Sequence, residues 1–281
     1  MQIYVINLDN KPDRWETMKR QAVDLGLSVK RVPATTPDGL SSGEQTKWET
    51  SVNGQRISIT EYACALSHRK VWQQIAENAA GGNALVLEDD VVLSEKLPDV
   101  LDDIDGQTGW DILRLETYLK EFKVGRRKPV ESRHVGFYSL CAGDYGAAAY
   151  IISPAAAKKL VSKPTRTDVP VDTWLFDRRA NNPPSVRVFQ CAPALAVQLH
   201  RLNVVGYTVD ESSSLESTRA FVRLYRSEAF MRPLPKTKLL RELFRPLFQL
   251  ESLIYQRFWT PIGEPCEYSG GEFVEFWDNI K

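Results

Sequence analysis

The chain has 281 residues, 43% of them hydrophobic and 26% charged, which is the composition of a folded globular protein rather than a disordered one. Its 36 Lys and Arg balance 36 Asp and Glu, so overall charge gives no reason to expect nucleic acid as a partner. This length can bury a core as one large domain or as a domain with an appendage.

The first apolar run, QIYVINL at residues 2–8, is rich in β-branched residues and predicts a strand. DNKPDR follows as a turn, with Asp13 able to cap a helix from Arg14 to Leu25 that Gly26 ends. SVKRVPA predicts a second strand, and residues 35–56 read as loop because Gly, Ser, Thr and Pro interrupt them. SITEYACALSHRKVWQQIAEN predicts a helix capped by Ser58 or Thr60, with Ala63, Leu66, Val71, Ile75 and Ala76 on one apolar face. Gly81 and Gly82 stop it before the strand ALVLEDD.

Further along, VLDDI predicts a short helix and WDILRLE a strand. GFYSLCAGDYGAAAYIIS supplies one or two strands. Ser153 caps PAAAKKLV, with Pro154 at the first helical position. PVDTWLFDRRAN predicts a helix, and VRVFQCAPALAVQLH a strand or two. Strands alternating with helices predict an α/β domain with a mainly parallel sheet, in which ligands collect beyond the carboxyl ends of the strands.

Three consecutive carboxylates, Glu88, Asp89 and Asp90, stand at such an end. Glu88 and Asp90 are two apart, so in extended geometry they point the same way. A divalent cation would relieve their repulsion, and hard oxygen ligands suit Mg²⁺ or Mn²⁺. The same tripeptide can equally be a solvated acidic turn or a helix cap. The four cysteines form no CxxC pair, which predicts reduced thiols in a reducing compartment. His68, His134 and His200 do not cluster with them in sequence, so no zinc site is expected. The start of the chain has no signal-peptide pattern, and no window reaches the roughly 18 apolar residues of a spanning helix. A cytoplasmic protein, or one peripheral on the inner face of a bacterial inner membrane, is expected.

Five motifs occur in order: VINLDNKPDRW, TEYACALSHRKVW, ALVLEDDVVL, GAAAYIIS and PVDTWL. Together they resemble glycosyltransferase family 25, which includes lipooligosaccharide and procollagen galactosyltransferases. The resemblance implies a GT-A fold over residues 1–215, a Rossmann-like nucleotide-diphospho-sugar transferase domain with an acidic metal motif, and an inverting mechanism. It implies a UDP-sugar donor, with UDP-galactose expected, and a saccharide or lipid-linked saccharide acceptor of lipooligosaccharide. A collagen acceptor would require a secretory route for which this sequence carries no signal.

The resemblance places Asn7, Asp9 and Arg14 at the nucleotide end of the cleft, where the first two can bond base or ribose and Arg14 can approach phosphate. It gives Ser67 and His68 a structural or donor-lining role, and Glu88 and Asp89 join the donor set. The expected metal ligands are Glu88, Asp90 and His200; His200 ends a late strand and suits Mn²⁺, though a surface histidine is an equal reading. An inverting transfer needs one general base. Asp172 leads, alone at an apolar helix start, followed by Glu116 and Asp144. Gly146 in a run of small residues would let a sugar ring approach the backbone, and Tyr150 could pack against it; plain strand packing is the alternative.

Residues 216–281 read as a basic, helical C-terminal extension. Between Arg219 and Arg257 there are nine Lys/Arg against three Glu. Leu240, Leu243, Phe244, Leu247, Leu250 and Ile254 fall near one helical face, and Pro246 kinks or divides the helix. That face fits either a protein surface, including a second subunit in a homodimer, or an anionic membrane. Two rival functions are a catalytically idle nucleotide-sugar-binding protein and a nucleotidyltransferase. The latter lacks the glycine-rich phosphate loop expected for its chemistry.

Overall fold

The computed structural model describes residues 1–50, 56–78, 81–118, 121–127, 130–142, 146–177, 186–203 and 256–259. Its strands are β1 (Gln2–Asn7), β2 (Lys30–Pro33), β3 (Ala84–Glu88), β4 (Val91–Leu93), β5 (Ile112–Arg114) and β6 (Glu116–Thr117). They continue with β7 (Glu121–Arg127), β8 (Gly136–Ala142), β9 (Ala149–Ile152), β10 (Val188–Ala192), β11 (Ala196–Gln198) and β12 (Gln256–Trp259). The helices are α1 (Pro12–Asp24), α2 (Ser42–Glu49), α3 (Ile59–Glu77), α4 (Leu97–Ile104), α5 (Pro154–Val161), α6 (Val171–Phe176) and α7 (Leu199–Asn203).

Among the described residues, nine strands form one sheet in the order β12-β7-β8-β10-β5-β9-β3-β1-β2, and β4, β11 and β6 form a second, small sheet. The class is α/β as expected. The sheet is mixed, however, rather than mainly parallel. β1 runs parallel to β2 and β3, but β9 inserts antiparallel between β3 and β5. The parallel β2-β1-β3 unit carries the acidic turn at its carboxyl end, where ligands collect in α/β sheets.

Alternation along the central strands explains the two-sided core. Ile3, Val5, Leu85 and Leu87 face one layer with Met18, Leu97, Val100 and Ile104 from α1 and α4. Tyr4, Ile6, Ala84 and Val86 face the other, with Val71, Trp72 and Ile75 from α3, Leu160 from α5 and Trp174 from α6. Each fully buried large side chain contributes roughly 1.5–3 kcal/mol. Near the centre, Trp72 meets Trp174 edge-on with ring centroids 5.6 Å apart.

Several local readings change. α1 starts at Pro12, with Lys11 as its N-cap and no side-chain cap bond; Asp13 lies inside the first turn, because proline's fixed φ suits that entry. Residues 42–49, read as loop, form α2, whose N-cap Ser41 accepts a bond from Glu44 N at 3.3 Å. α3 begins in a reciprocal capping box: Glu61 N donates to Ser58 Oγ at 3.1 Å, and Ser58 N donates to Glu61 Oε2 at 2.9 Å. The strand expected over 110–116 breaks at Leu115, which sends β5 and β6 into different sheets.

Most of the expected C-terminal helix lies outside the described residues. Gln256–Trp259 are described, and they form a strand antiparallel to β7 instead of the end of that helix. Among the described residues no helix is long and apolar enough to cross a membrane. Neither Cys64 nor Cys191 is in a disulfide.

Candidate active site

β3 carries an unbroken buried run, Ala84 to Leu87, and Glu88 N still bonds Ala148 O at 2.8 Å. Asp89 and Asp90 then turn the chain into β4. Leu199 N donates to Asp90 O at 2.7 Å, which pins this turn against the start of α7.

Neighbouring elements hold the carboxylates. Asn7, at the end of β1, donates through Nδ2 to Asp89 Oδ2 at 2.7 Å and to Lys11 O at 2.9 Å. Arg31 on β2 donates through Nε to Asn7 Oδ1 at 2.6 Å, which fixes the orientation of that amide. Arg14, from the first turn of α1, donates to Asp89 Oδ1 at 3.3 Å and lies 4.0 Å from Asp90 Oδ2. Gln198, at the end of β11, places Nε2 between Glu88 Oε2 at 3.2 Å and Asp90 Oδ1 at 3.4 Å.

The negative charge is incompletely offset. Burial raises the Asp89 carboxyl, against the bonds from Asn7 and Arg14. Burial, with Glu88 and Asp89 nearby, raises Asp90 to about 7 despite Arg14 and Gln198. Desolvated like charges disfavour ionisation in this way.

His68 on α3 connects this cluster to the core. One ring nitrogen, Nε2, is 3.2 Å from Glu88 Oε1, and Nδ1 is 3.0 Å from the Tyr150 hydroxyl. Trp72 Nε1 also donates to that hydroxyl at 2.8 Å. Ser67 accepts Thr35 N at 2.8 Å and donates to Ala63 O at 2.9 Å, tying α3 to the loop after β2.

These groups border a cleft that is open to solvent. Arg14, Ser67, His68, Glu88, Asp89 and Asp90 line it. Asn7 is buried directly behind Asp89. Asp9 is largely exposed and is held by Arg31 NH2 at 2.5 Å.

The sugar-contacting roles expected of Gly146 and Tyr150 need correction. Tyr150 is fully buried behind His68, so it cannot touch a sugar in the cleft. Gly146 is also buried, and the space beside its Cα is filled by Glu116 and Tyr118. Glu116 is itself fully enclosed: its oxygens accept Arg114 NH2 at 3.1 Å, Ala148 N at 2.5 Å and Ala149 N at 3.2 Å. This is the environment of a structural anchor. Asp172 stands one residue inside α6, half-buried, and its Oδ1 accepts Thr173 N at 2.6 Å. Asp144 lies outside the described residues.

His200 belongs to α7, not to a strand end, because the chain coils immediately after Gln198. Among the described residues, Glu88, Asp90 and His200 do not form a set of converging ligand atoms; Cys64, His68 and Glu88 do, within 4.8 Å of one another. This also corrects the expectation that no histidine meets a cysteine. Cys64 and His68 are four apart on α3, so they share a face. That spacing was visible in the sequence. Arg31, Gln198, Arg114 and Gln190 had no comparable signal, since each acts through partners distant along the chain.

A sequence profile described as "Glycosyltransferase family 25 (LPS biosynthesis protein)" matches residues 1–175. Procollagen galactosyltransferase 1-B of Xenopus laevis is 27% identical over an alignment of 240 positions that covers 76% of this chain and 38% of that protein. Inactive glycosyltransferase 25 family member 3 of Homo sapiens is 25% identical over an alignment of 237 positions that covers 76% of this chain and 39% of that protein. The chain thus spans about two fifths of the length of these curated relatives. A crystal structure of a glycosyltransferase involved in glycosylation of the major capsid of PBCV-1 aligns with a TM-score of 0.41 and 12% identity, over 72% of this chain and 97% of that one. With the profile covering well over half of its residues, the chain belongs to glycosyltransferase family 25.

Proposed function

We propose that the protein is an inverting, metal-dependent glycosyltransferase that moves galactose from UDP-galactose to a saccharide or lipid-linked saccharide acceptor, as in lipooligosaccharide assembly at a cytoplasmic membrane face. One observation carries this reading: Glu88 and Asp90 present oxygens on either side of the Gln198 amide, at the edge of an open cleft, with only partial neutralisation by Arg14. Family membership and the names of the procollagen galactosyltransferase relatives support the donor assignment.

The donor set fits a hard divalent cation such as Mn²⁺ or Mg²⁺: it is anionic, oxygen-rich and buried enough to raise Asp90. Glu88 and Asp90 would hold such an ion, which when bound would engage the donor diphosphate and offset the charge on departing UDP. Arg14 supplies a fixed positive charge at the same end of the cleft. Asn7 holds Asp89 in place, leaving Arg14 oriented across the turn. In the transfer itself, an acceptor oxygen forms a bond to the anomeric carbon as the bond to UDP breaks from the opposite face. The acceptor proton passes to the general base, for which Asp172 remains our first assignment.

The test is UDP release from several UDP-sugars, with a saccharide acceptor and Mn²⁺. Release that requires both acceptor and metal, and is fastest with UDP-galactose, supports the reading. Absence of release from every UDP-sugar would reject it. A second reading, a catalytically idle nucleotide-sugar-binding protein, is favoured by one observation: a relative named inactive matches about as well as one named a galactosyltransferase. That reading requires UDP-galactose binding without turnover.

A further inference from the structure

We infer that the cleft contains a second, softer cation site, formed by Cys64, His68 and Glu88, which takes Zn²⁺. Their ligand atoms lie within 4.8 Å of one another. Cys64 and His68 come from adjacent turns of α3, and Glu88 comes from the end of β3. Thiolate, imidazole and carboxylate form a typical zinc donor set. Adjacent ligands around a tetrahedral Zn²⁺ are roughly 3.3–3.7 Å apart, given bond lengths of about 2.0–2.3 Å. His68 Nε2 and Glu88 Oε1 already stand 3.2 Å apart. Only the Cys64 side chain needs to close in.

The outer shell is also suited to this role. A metal-bound histidine needs its other nitrogen held as a donor. His68 Nδ1 faces the Tyr150 hydroxyl at 3.0 Å, and Trp72 fixes that hydroxyl from the other side at 2.8 Å. Tyr150 and Trp72 are fully buried, so the ring is aimed before any ion arrives. All three ligands line the cleft, which gives the ion a route in and leaves its fourth position facing the open space. On binding, the Cys64 thiol proton passes to solvent and the thiolate bonds the ion. Two anionic ligands then balance the charge of Zn²⁺.

Glu88 is shared between two directions. Oε1 faces His68, while Oε2 faces Gln198 and the Asp90 side of the turn. Zn²⁺ bound through Oε1 therefore draws on the carboxylate that the proposed transferase uses for its hard cation. Zinc inhibition of sugar transfer follows; this consequence, unlike the site itself, rests on the transferase reading.

The test uses the full chain stripped of metal and Zn²⁺ alone, titrated against a chromophoric chelator. Cys64→Ser and His68→Gln should each weaken the site by more than the roughly 10–100-fold that loss of an outer-shell partner costs. Tyr150→Phe should fall within that range, and Asp90→Ala should leave the affinity within about twofold. Co²⁺ in place of Zn²⁺ should give a thiolate-to-metal charge-transfer band that Cys64→Ser removes and Cys266→Ser retains. Unchanged Zn²⁺ affinity in a folded Cys64→Ser variant, or no thiolate band with Co²⁺, overturns the site. A site that passes these tests in a protein that releases no UDP would leave the zinc inference standing and reject the transferase reading alone.

Discussion

The Glu116 carboxylate occupies the space that a Cβ on Gly146 would need, and the Tyr118 hydroxyl closes it from a second direction at 2.5 Å. Gly146 O also accepts Arg114 Nε at 3.1 Å. Arg114 in turn bonds Gln190 Oε1 at 2.7 Å, so one buried polar cluster ties β5, β6 and β10 to the segment entering β9. Gly146→Ala should disturb all of it. Overpacking costs about 1–3 kcal/mol, and a melting temperature lower by several degrees should follow. Thermal unfolding unchanged by Gly146→Ala would mean that this backbone relaxes without disturbing the cluster.

Asp111 gives the clearest pH dependence. It is buried, and burial alone would raise its carboxyl; the backbone N–H and guanidinium of Arg187, with Lys159, outweigh burial and lower it. The bonds measure 2.8, 3.0 and 3.1 Å. A carboxyl depressed on folding contributes stability that is present above its unfolded pKa, about 3.9, and lost as pH falls through its folded value. Asp111→Asn should therefore destabilise at pH 7 by about 1.5 kcal/mol, near the lower end for bonds to charged groups because both cations are half exposed. The difference should shrink toward pH 2. Denaturant melts at the two pH values would check this, and an equal deficit at both would exclude the ionic origin.

Much of this architecture was legible because its signals are local. The apolar run from Ala84 to Leu87 followed by three carboxylates marked both β3 and the candidate site at its end. Ser153-Pro154 marked the start of α5. Other features escaped for physical reasons. Ser, Gly and Thr in α2 are weak helix formers, and its cap decided the outcome over composition. Leu115 looks like the middle of one strand, yet tertiary pairing divides it between two sheets. The burial of Tyr150 and Gly146 depends on what packs behind β9, which no spacing within GAAAYIIS encodes. Cys64 and His68 were four apart in plain view, but only the end of β3 supplies their third partner.

Two of the base candidates, Asp172 and Glu116, respond differently to neutralisation. Asp172→Asn keeps its shape and its position at the start of α6, so donor binding should survive while transfer falls roughly 10²–10⁴-fold. Glu116→Gln instead weakens the buried ion pair with Arg114. Breaking a buried pair costs about 3–5 kcal/mol when a charge is left uncompensated, so this variant should lose stability first. Parallel measurement of UDP-galactose binding, turnover and thermal unfolding separates the two. A full rate with Asp172→Asn would move the base elsewhere, and lost donor binding would make Asp172 a sugar-holding residue.

Asp90 is the sharpest test of the metal assignment. Its carboxyl is raised to about 7 by burial and by Glu88 and Asp89, so in the metal-free protein its charge opposes folding at neutral pH. Asp90→Ala removes that repulsion along with one proposed ligand. The fold should therefore survive, with thermal stability equal to or above that of the parent when metal is absent. Activity should respond in the opposite direction. Loss of a cation that stabilises departing diphosphate removes several kcal/mol of charge stabilisation, or roughly 10²-fold and more in rate. Added Mn²⁺ should also stabilise the parent against unfolding and leave Asp90→Ala nearly unshifted. Near-normal Mn²⁺-dependent transfer by a folded Asp90→Ala variant would show that the cation is held elsewhere, and the pairing of Glu88 with Asp90 across Gln198 would then be structural.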